Sequence, residues 1–517
     1  MNIVFRVDAS LTMGSGHLMR CLTLANCLHS HGAQIVFICR HLPESLHRML
    51  FVAGHSCVML PDRSQPPSVE GAELAHAEWL GTSQSVDAED TLLVLGSVEC
   101  NWLIVDHYAL DVTWERKLRH RACRILVIDD LADRMHDCDL LLDQNLYTDA
   151  EDRYLGKVPN ACQQLLGPRY ALLRPEFAVA RRHLRTRDGV VRRILLFFGG
   201  MDSANVTGQA MAALAQLHRP DIAVDVVIGA QHPALSAIEV DCQAFGWACH
   251  VQSEDMATLM AAADIAIGAG GSATWERCSQ GLPTIALAIS ANQKQLVEDA
   301  ASAGILLELI ADETSGSTLT QAIQDRILQC LQRPQLLLSL ALRGTELVDG
   351  AGVERVRRAI GVSGLSVRRA VDQDSEMLFR WRNHEKVRAV SHNNAPLQRD
   401  EHESWIVDVL ANPLRILLIG EFQSLDIGVV RFDCEEHIAE VSIYLNPEEP
   451  STGWGRELLQ TAEKYLASNF PNIDEVCAEV LLNNLSSQNF FERSGYVTHV
   501  RRDTQSPVKK YYKSLLS

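Results

Sequence analysis

Up to residue 287 the chain alternates short apolar runs with segments of helical period, the pattern of parallel βαβ layers. Runs at 3–7, 35–39, 103–106, 125–129 and 140–143 predict a first series of strands. Between 147 and 189 the pattern loosens into an irregular bridge. A second series follows at 194–198, 224–228, 265–268 and 284–287, and helical patterns over 318–360 close this part of the chain. The stretch 83–90 reads as a polar loop.

Gly361-Val362-Ser363-Gly364 supplies a short joint, after which the order of elements changes. Two helices (375–387 and 400–410) precede strands at 416–420, 427–432 and 438–445. Consecutive strands joined by polar turns predict an antiparallel meander. A glycine-bearing turn, a long helix, a strand and a final helix complete an α+β domain. The expected organisation is therefore α/β first: two Rossmann-like halves, 1–155 and 156–360, around a cleft, the architecture called GT-B. An α+β domain over 366–517 follows. Ligands of such α/β sheets bind beyond the carboxyl ends of the strands, here in the cleft.

Charge narrows the partners. A formal net charge of −18 over 517 residues argues against a nucleic-acid ligand, which needs a basic face. The 14 cysteines contain no C-x-x-C pair, so neither a zinc site nor a disulfide framework is read from their spacing. Free thiols suit a reducing compartment. No apolar run is long enough to span a bilayer, and no basic leader precedes the first strand-like run. The expectation is a cytoplasmic protein without a membrane partner.

Candidate chemistry sits on two glycine turns. In the first, Gly14-Ser15-Gly16-His17 leaves a strand and opens a helix, with Arg20 one turn on. The glycines let backbone approach a ligand, and the helix start offers N–H groups to an anion. A neutral His17 in a cleft is what a general base needs. The second turn, Gly268-Ala269-Gly270-Gly271-Ser272, can cradle a diphosphate, and Glu276 can accept ribose hydroxyls. Asp8, Asp106, His107 and Asp130 end strands at the cleft, where they can orient His17 or water. Capping and turn formation are the alternative roles for these four. Asp137-Cys138-Asp139 matches a metal–diphosphate D-x-D pattern, but a three-residue match arises easily by chance.

These motifs resemble a known family. Gly14-Ser15-Gly16-His17-x-x-Arg20-Cys21, Val105-Asp106-His107-Tyr108, Ile128-Asp129-Asp130, Phe198-Gly199-Gly200-x-Asp202 and Gly268 to Ser272 with Glu276 are similar to the UDP-2,4-diacetamido-2,4,6-trideoxy-β-L-altropyranose hydrolases of pseudaminic acid synthesis. These hydrolases are relatives of the MurG-type glycosyltransferases. The resemblance implies His17 as the essential catalytic residue. Water would attack the anomeric carbon and the C–O bond to UDP would break with inversion, without a metal. Binding of the UDP-linked sugar would fall to Gly14, Gly16, Arg20, Asp106, His107, Gly199, Gly200, Gly270, Gly271, Ser272 and Glu276. A glycosyltransferase with an acceptor other than water, or a non-catalytic UDP-sugar scaffold, are the rival readings.

The second domain carries Thr452-Gly453-Trp454-Gly455-Arg456, a strand–turn–helix cradle for a pyrophosphate. Together with Asn484-x-x-Ser487-x-x-x-Phe491-Glu492-x-x-Gly495-Tyr496 it resembles the acetyl-CoA core of GNAT acetyltransferases. Trp381-Arg382-Asn383 and Glu401-His402-x-x-Trp405 make it similar to the subgroup acting on UDP-aminosugars. The resemblance implies acetyl-CoA as co-substrate, held by Gly453, Gly455, Arg456, Asn484, Ser487 and Phe491. Glu440 can deprotonate the amine through water. Two positions depart from the pattern: Pro450 offers no N–H, and Phe491 replaces a proton-donating tyrosine, leaving that role to Tyr496, Tyr444 or solvent. The two activities would be consecutive steps, and other pathway enzymes are candidate partners; a protein-acetylating GNAT domain is the rival reading for this part of the chain.

Overall fold

Buried on both faces, the apolar runs of the first part of the chain have only one way to satisfy their backbone groups, which is pairing in a covered sheet. The computed structural model describes residues 1–10, 13–63, 74–96, 100–310, 318–391, 394–422, 425–448, 453–498 and 508–515. These fall into two units, Met1–Val362 and Ser363–Ser517. Thr452 and Pro450 lie outside the described residues.

The first sheet contains β1 (Asn2–Val7), β2 (Gln34–Cys39), β3 (Ser56–Met59), β4 (Cys100–Asp106), β5 (Ala122–Ile128), β6 (Leu140–Asp143) and β7 (Gln163–Leu166). Its order is β3-β2-β1-β4-β5-β6-β7, and every pairing is parallel. The second sheet contains β8 (Arg193–Phe197), β9 (Ala223–Ile228), β10 (Ala248–Val251), β11 (Ile265–Ala269), β12 (Thr284–Leu287) and β13 (Leu307–Glu308). It too is parallel, in the order β10-β9-β8-β11-β12-β13. The order reverses between β1 and β4 and again between β8 and β11. At such a switch point the flanking connections diverge and leave a crevice at the carboxyl ends of the strands.

Two boundaries and one element differ from the sequence expectation. Strand β7 belongs to the first sheet, so that half runs past residue 155. The helix Gly352–Ile360 returns from the second half and buries Val356 and Ile360 in the core of the first, beside Leu24 and Leu28. Residues 83–90 are not a loop: Ser83 caps the helix Gln84–Leu95, its hydroxyl accepting from the Val86 N–H at 3.3 Å. That helix buries Asp87 and Asp90 alongside Ala88, Thr91 and Leu95, and the two charges interrupt its apolar stripe. Asp87 takes Arg6, Arg40 and the Trp114 indole N–H, and Asp90 takes Arg40 and Arg63.

The second unit holds β14 (Ser366–Arg369), β15 (Arg415–Phe422), β16 (Leu425–Glu435), β17 (Ile438–Leu445), β18 (Glu475–Leu481) and β19 (Val508–Ser514), ordered β14-β15-β16-β17-β18-β19. Pairings are antiparallel except β17 with β18. The last element is thus a strand that follows the helix Leu485–Arg493, which had been expected to close the domain. The helix Trp454–Asn469 packs Leu458, Leu459, Ala462 and Leu466 against the sheet core. Among the described residues no helix is long and apolar enough to cross a membrane.

Candidate functional site

In the first unit the two strands at the switch point deliver the site. The chain leaves β1, turns at Gly14 (φ +75°) and starts the helix Gly16–Ser30. A side chain at Gly14 would have room but the wrong backbone, so glycine is required by conformation. Ser15 makes no side-chain cap and no acidic residue occupies the first turn. The helix start is therefore an uncapped cluster of N–H groups, suited to an anion. His17 stands on that turn, and Asp106 ends β4.

Nδ1 of His17 lies 2.6 Å from Oδ1 of Asp106. A carboxylate only accepts, so the shared proton sits on Nδ1 and Nε2 is left as the basic nitrogen. Arg20 clamps Asp106 from the other side, Nε to Oδ2 at 2.6 Å and Nη2 to Oδ1 at 2.7 Å. Its Nη1 continues to Asp130 at 3.0 Å, and Asp130 also accepts from the Tyr108 hydroxyl. Burial alone would raise the Asp106 carboxyl, but Arg20 and then His17 hold it well below the usual carboxylate range. Asp106 is thus a fixed anion, able to orient the imidazole and stabilise it when it gains a proton. The Tyr108 ring meets the His17 ring edge-on at 4.6 Å, with Trp79 and His76 packed beside Tyr108.

The same crevice reaches the second half. Gly16, Arg20, Gln144, Arg174, Ser272 and Glu276 line one recess, so residues of both sheets share a single cleft. A direct bond ties the halves there: the Trp275 indole N–H donates to the Asn145 amide oxygen at 3.0 Å. Glu276 lies 3.7 Å from Arg174, and burial raises its carboxyl above the ordinary value.

Several expected binding residues have other duties. Arg20 lines the recess, but its guanidinium is engaged by Asp106 and Asp130 rather than open to a phosphate. His107 is 3% exposed and faces Asp8 at 3.2 Å, inside the protein and out of reach of a cleft ligand. Asp8 in turn is held by Arg6 and the Arg40 N–H. A Cβ on Gly270 would come within 2.0 Å of the Val297 side chain, so packing already demands glycine there. Gly199 (φ +99°), Gly200 and Gly271 leave open space beside the cleft-facing turns, with Gly271 nearest Gln293. Asp137 and Asp139 both pair with Arg119. Sequence reading missed the Arg20–Asp106–Asp130–Tyr108 chain as a unit. Its members are up to 110 residues apart, and only the strand-end positions of the two aspartates hinted at it.

In the second unit the parallel strands β17 and β18 pair only at 438–440 with 475–477, although β17 runs on to Leu445 and β18 to Leu481. Beyond Glu440 the strands part, opening a slot between two backbone edges. Glu440 sits at the base of the slot, exposed; burial, then Glu479 and Asp433, raise its carboxyl above the usual range. Gly453 (φ +96°) starts the long helix, Gly455 packs under Phe490, and Arg456 is exposed. The Asn484 side chain caps the helix Leu485–Arg493 by accepting from the Ser487 N–H at 3.0 Å. Phe491 is 5% exposed, packed against Phe490, Tyr496 and Tyr511, so it is a core residue. The Tyr496 hydroxyl is likewise interior and donates to Glu463 at 2.8 Å, which removes it as a proton source for a thiolate.

Two doubly wound parallel sheets sharing one cleft are a GT-B fold, and the splayed mixed sheet is a GNAT fold. The family model for the acetyltransferase (GNAT) domain matches residues 365–497. An uncharacterized protein of Methanocaldococcus jannaschii is 20% identical over 516 residues, 96% of each chain, so the likeness runs through both units. The UDP-2,4-diacetamido-2,4,6-trideoxy-beta-L-altropyranose hydrolase of Campylobacter jejuni is 27% identical over 215 residues, 41% of this chain and 66% of that one. Spore coat polysaccharide biosynthesis protein SpsG of Bacillus subtilis is 31% identical over 199 residues, 37% of this chain and 56% of its own. MurG of Acinetobacter baumannii superposes with a TM-score of 0.48 at 13% identity, over 70% of this chain and 99% of that structure. The first unit is thus similar in sequence to a UDP-sugar hydrolase and to a spore coat polysaccharide biosynthesis protein, and the second carries a GNAT acetyltransferase domain.

Proposed function

We propose that the first unit hydrolyses a UDP-linked 2,4-diacetamido-2,4,6-trideoxy sugar, releasing UDP and the free sugar, in nonulosonate synthesis. The observation that carries this reading is the 2.6 Å His17–Asp106 contact on the helix whose Gly16 and Arg20 line a cleft built from both halves. Nε2 of His17 takes a proton from water, and the resulting hydroxide character attacks the anomeric carbon. The C–O bond to the diphosphate breaks, its electrons leaving on UDP, which needs no proton at neutral pH. Asp106 stabilises the imidazolium, which then releases its proton to solvent. The uncapped start of the helix Gly16–Ser30 and the turn before Ala273 receive phosphate oxygens, and Glu276 the ribose hydroxyls. The likeness to the Campylobacter jejuni hydrolase supports the choice of substrate.

The second unit, in the same proposal, transfers acetyl from acetyl-CoA to the 4-amino group of the precursor UDP-sugar. The slot between β17 and β18 offers backbone edges to the amides of the pantetheine arm. Glu440, whose carboxyl is raised, removes the ammonium proton, and the amine attacks the thioester carbon as the thiolate leaves. Tyr444 or solvent returns the proton. Proton NMR of the UDP-linked diacetamido altrose tests the first reaction. Loss of substrate in buffer alone, with free sugar and UDP in equal amounts, is expected. Turnover only after a sugar or lipid acceptor is added means a glycosyltransferase instead.

A further inference from the structure

At the far end of the helix Gly16–Ser30, about 15 Å or more along its axis from His17, a separate cluster brings together three side chains of metal-ligating type. Cys27 and His31 are one turn apart in sequence and face the same direction, and Glu354 comes from the returning helix Gly352–Ile360. The Cys27 Sγ is 3.2 Å from Glu354 Oε1, and His31 Nε2 is 3.9 Å from that same oxygen. All three candidate ligand atoms lie within 4.8 Å of one another. Ligand atoms around a tetrahedral zinc ion stand about 3.5 Å apart, given metal–ligand bonds of about 2.0–2.3 Å. Among the described residues no other three such side chains bring one ligand atom each within 4.8 Å of one another.

Each ligand also has the outer support that metal sites show. Nδ1 of His31 meets the Cys27 carbonyl oxygen at 2.7 Å, and a carbonyl only accepts, so the proton is on Nδ1 and Nε2 is the coordinating nitrogen. Arg357 donates to Glu354 Oε2 at 3.0 Å, which turns Oε1 toward the other two. His31 is buried while Cys27 and Glu354 are part-exposed, leaving a solvent side for entry and for a water as fourth ligand.

We propose that Cys27, His31 and Glu354 form a site for a zinc-class divalent cation that staples the returning helix Gly352–Ile360 to the helix bearing His17. On binding, the thiol proton passes to solvent and the thiolate, the imidazole Nε2 and one carboxylate oxygen bond the metal. The site is structural and independent of the reaction assigned to the cleft.

Full-length protein freed of metal by EDTA dialysis is titrated with Co²⁺. One equivalent producing thiolate-to-cobalt charge-transfer absorption, displaced by Zn²⁺, is expected. Cys27→Ser removes the charge-transfer band, and His31→Gln or Glu354→Gln weakens affinity at least about tenfold. Zn²⁺ raises the melting temperature of the wild type in a concentration-dependent way but not that of Cys27→Ser. Absence of the band in the wild type, or its persistence in Cys27→Ser, overturns the site. Should the serine variant not fold, alkylation with iodoacetamide decides: saturating Zn²⁺ protects Cys27 if the site exists, and unchanged labelling of Cys27 refutes it.

Discussion

The two candidate bases are held in opposite ways. His17 is the visible end of a chain of ion pairs, Asp106 to Arg20 to Asp130, that is buried almost throughout. Glu440 stands on a sheet face, its carboxyl raised by burial and then by Glu479 and Asp433. In the first unit the protein itself fixes the orientation of the base and the charge of its partner Asp106 before substrate arrives. In the second, the slot is open and the bound coenzyme must complete the environment. Preorganised charge strengthens catalysis because no dipole needs to turn during the reaction. The first site should therefore be sensitive to changes in residues that never touch substrate, and the second to changes in ligand contacts.

The largest expected effect is on His17. His17→Ala lowers the rate of UDP release by about 10²–10⁴-fold while acetyl transfer is unchanged, measured on the same preparation. Asp106→Asn approaches that loss and also costs about 1.5–3 kcal/mol of stability in urea unfolding, since Arg20 keeps its buried charge with only Asp130 left to pair it. A variant of Asp106 with near-normal rate would break the contrast between the two sites.

Glu440→Gln should slow acetyl transfer by about 10²-fold and leave hydrolysis alone. The base acts deprotonated, so wild-type acetyl transfer falls as pH drops through the raised Glu440 value. The acid limb of its pH profile therefore lies above the ordinary glutamate value of about 4.3. An acid limb at or below that value assigns the base elsewhere.

A third effect sharpens the picture of the first unit as a charge-built framework. His136 is buried beside Glu115, at 2.7 Å, and Asp129. Burial alone would lower its pKa, but Asp129 and then Glu115 raise it to about 9. The folded value exceeds the unfolded one of about 6.5. Its contribution is therefore complete below pH 6.5 or so and lost as pH rises through about 9, worth up to about 3 kcal/mol. His136→Gln should flatten the fall in melting temperature between those limits.

The smallest effect concerns Phe491. Its ring is enclosed by Phe490, Tyr496 and Tyr511, so Phe491→Tyr buries a hydroxyl among apolar rings and costs about 1–3 kcal/mol. Acetyl transfer should not increase. A faster variant would mean that the position faces the thiolate after all.

The same contrast between apolar and charge-built structure explains what the sequence revealed. Interior strands such as β1, β4 and β11 were legible because they are nearly continuous apolar runs. The unrecognised strands β3, β7, β10, β13, β14 and β19 are the edges of the three sheets. Most of these edge strands are short and half-exposed, like Ser56–Met59, and the longer Val508–Ser514 is largely polar, so none carries such a run. The helix Gln84–Leu95 escaped because Asp87 and Asp90 occupy its buried face. The glycine turns and His17 were readable from local order. The Arg20–Asp106–Asp130 chain was not, because ion pairing between distant segments leaves no periodic trace.

One isotope experiment tests the central proposal most directly. Hydrolysis of the UDP-linked diacetamido sugar is run in oxygen-18-labelled water, and the products are separated for mass spectrometry. Attack at the anomeric carbon, with His17 as base, places the label on the sugar and none on UDP, and His17→Ala releases neither product at a comparable rate. Label on the diphosphate, or labelled sugar formed as fast by His17→Ala, contradicts it.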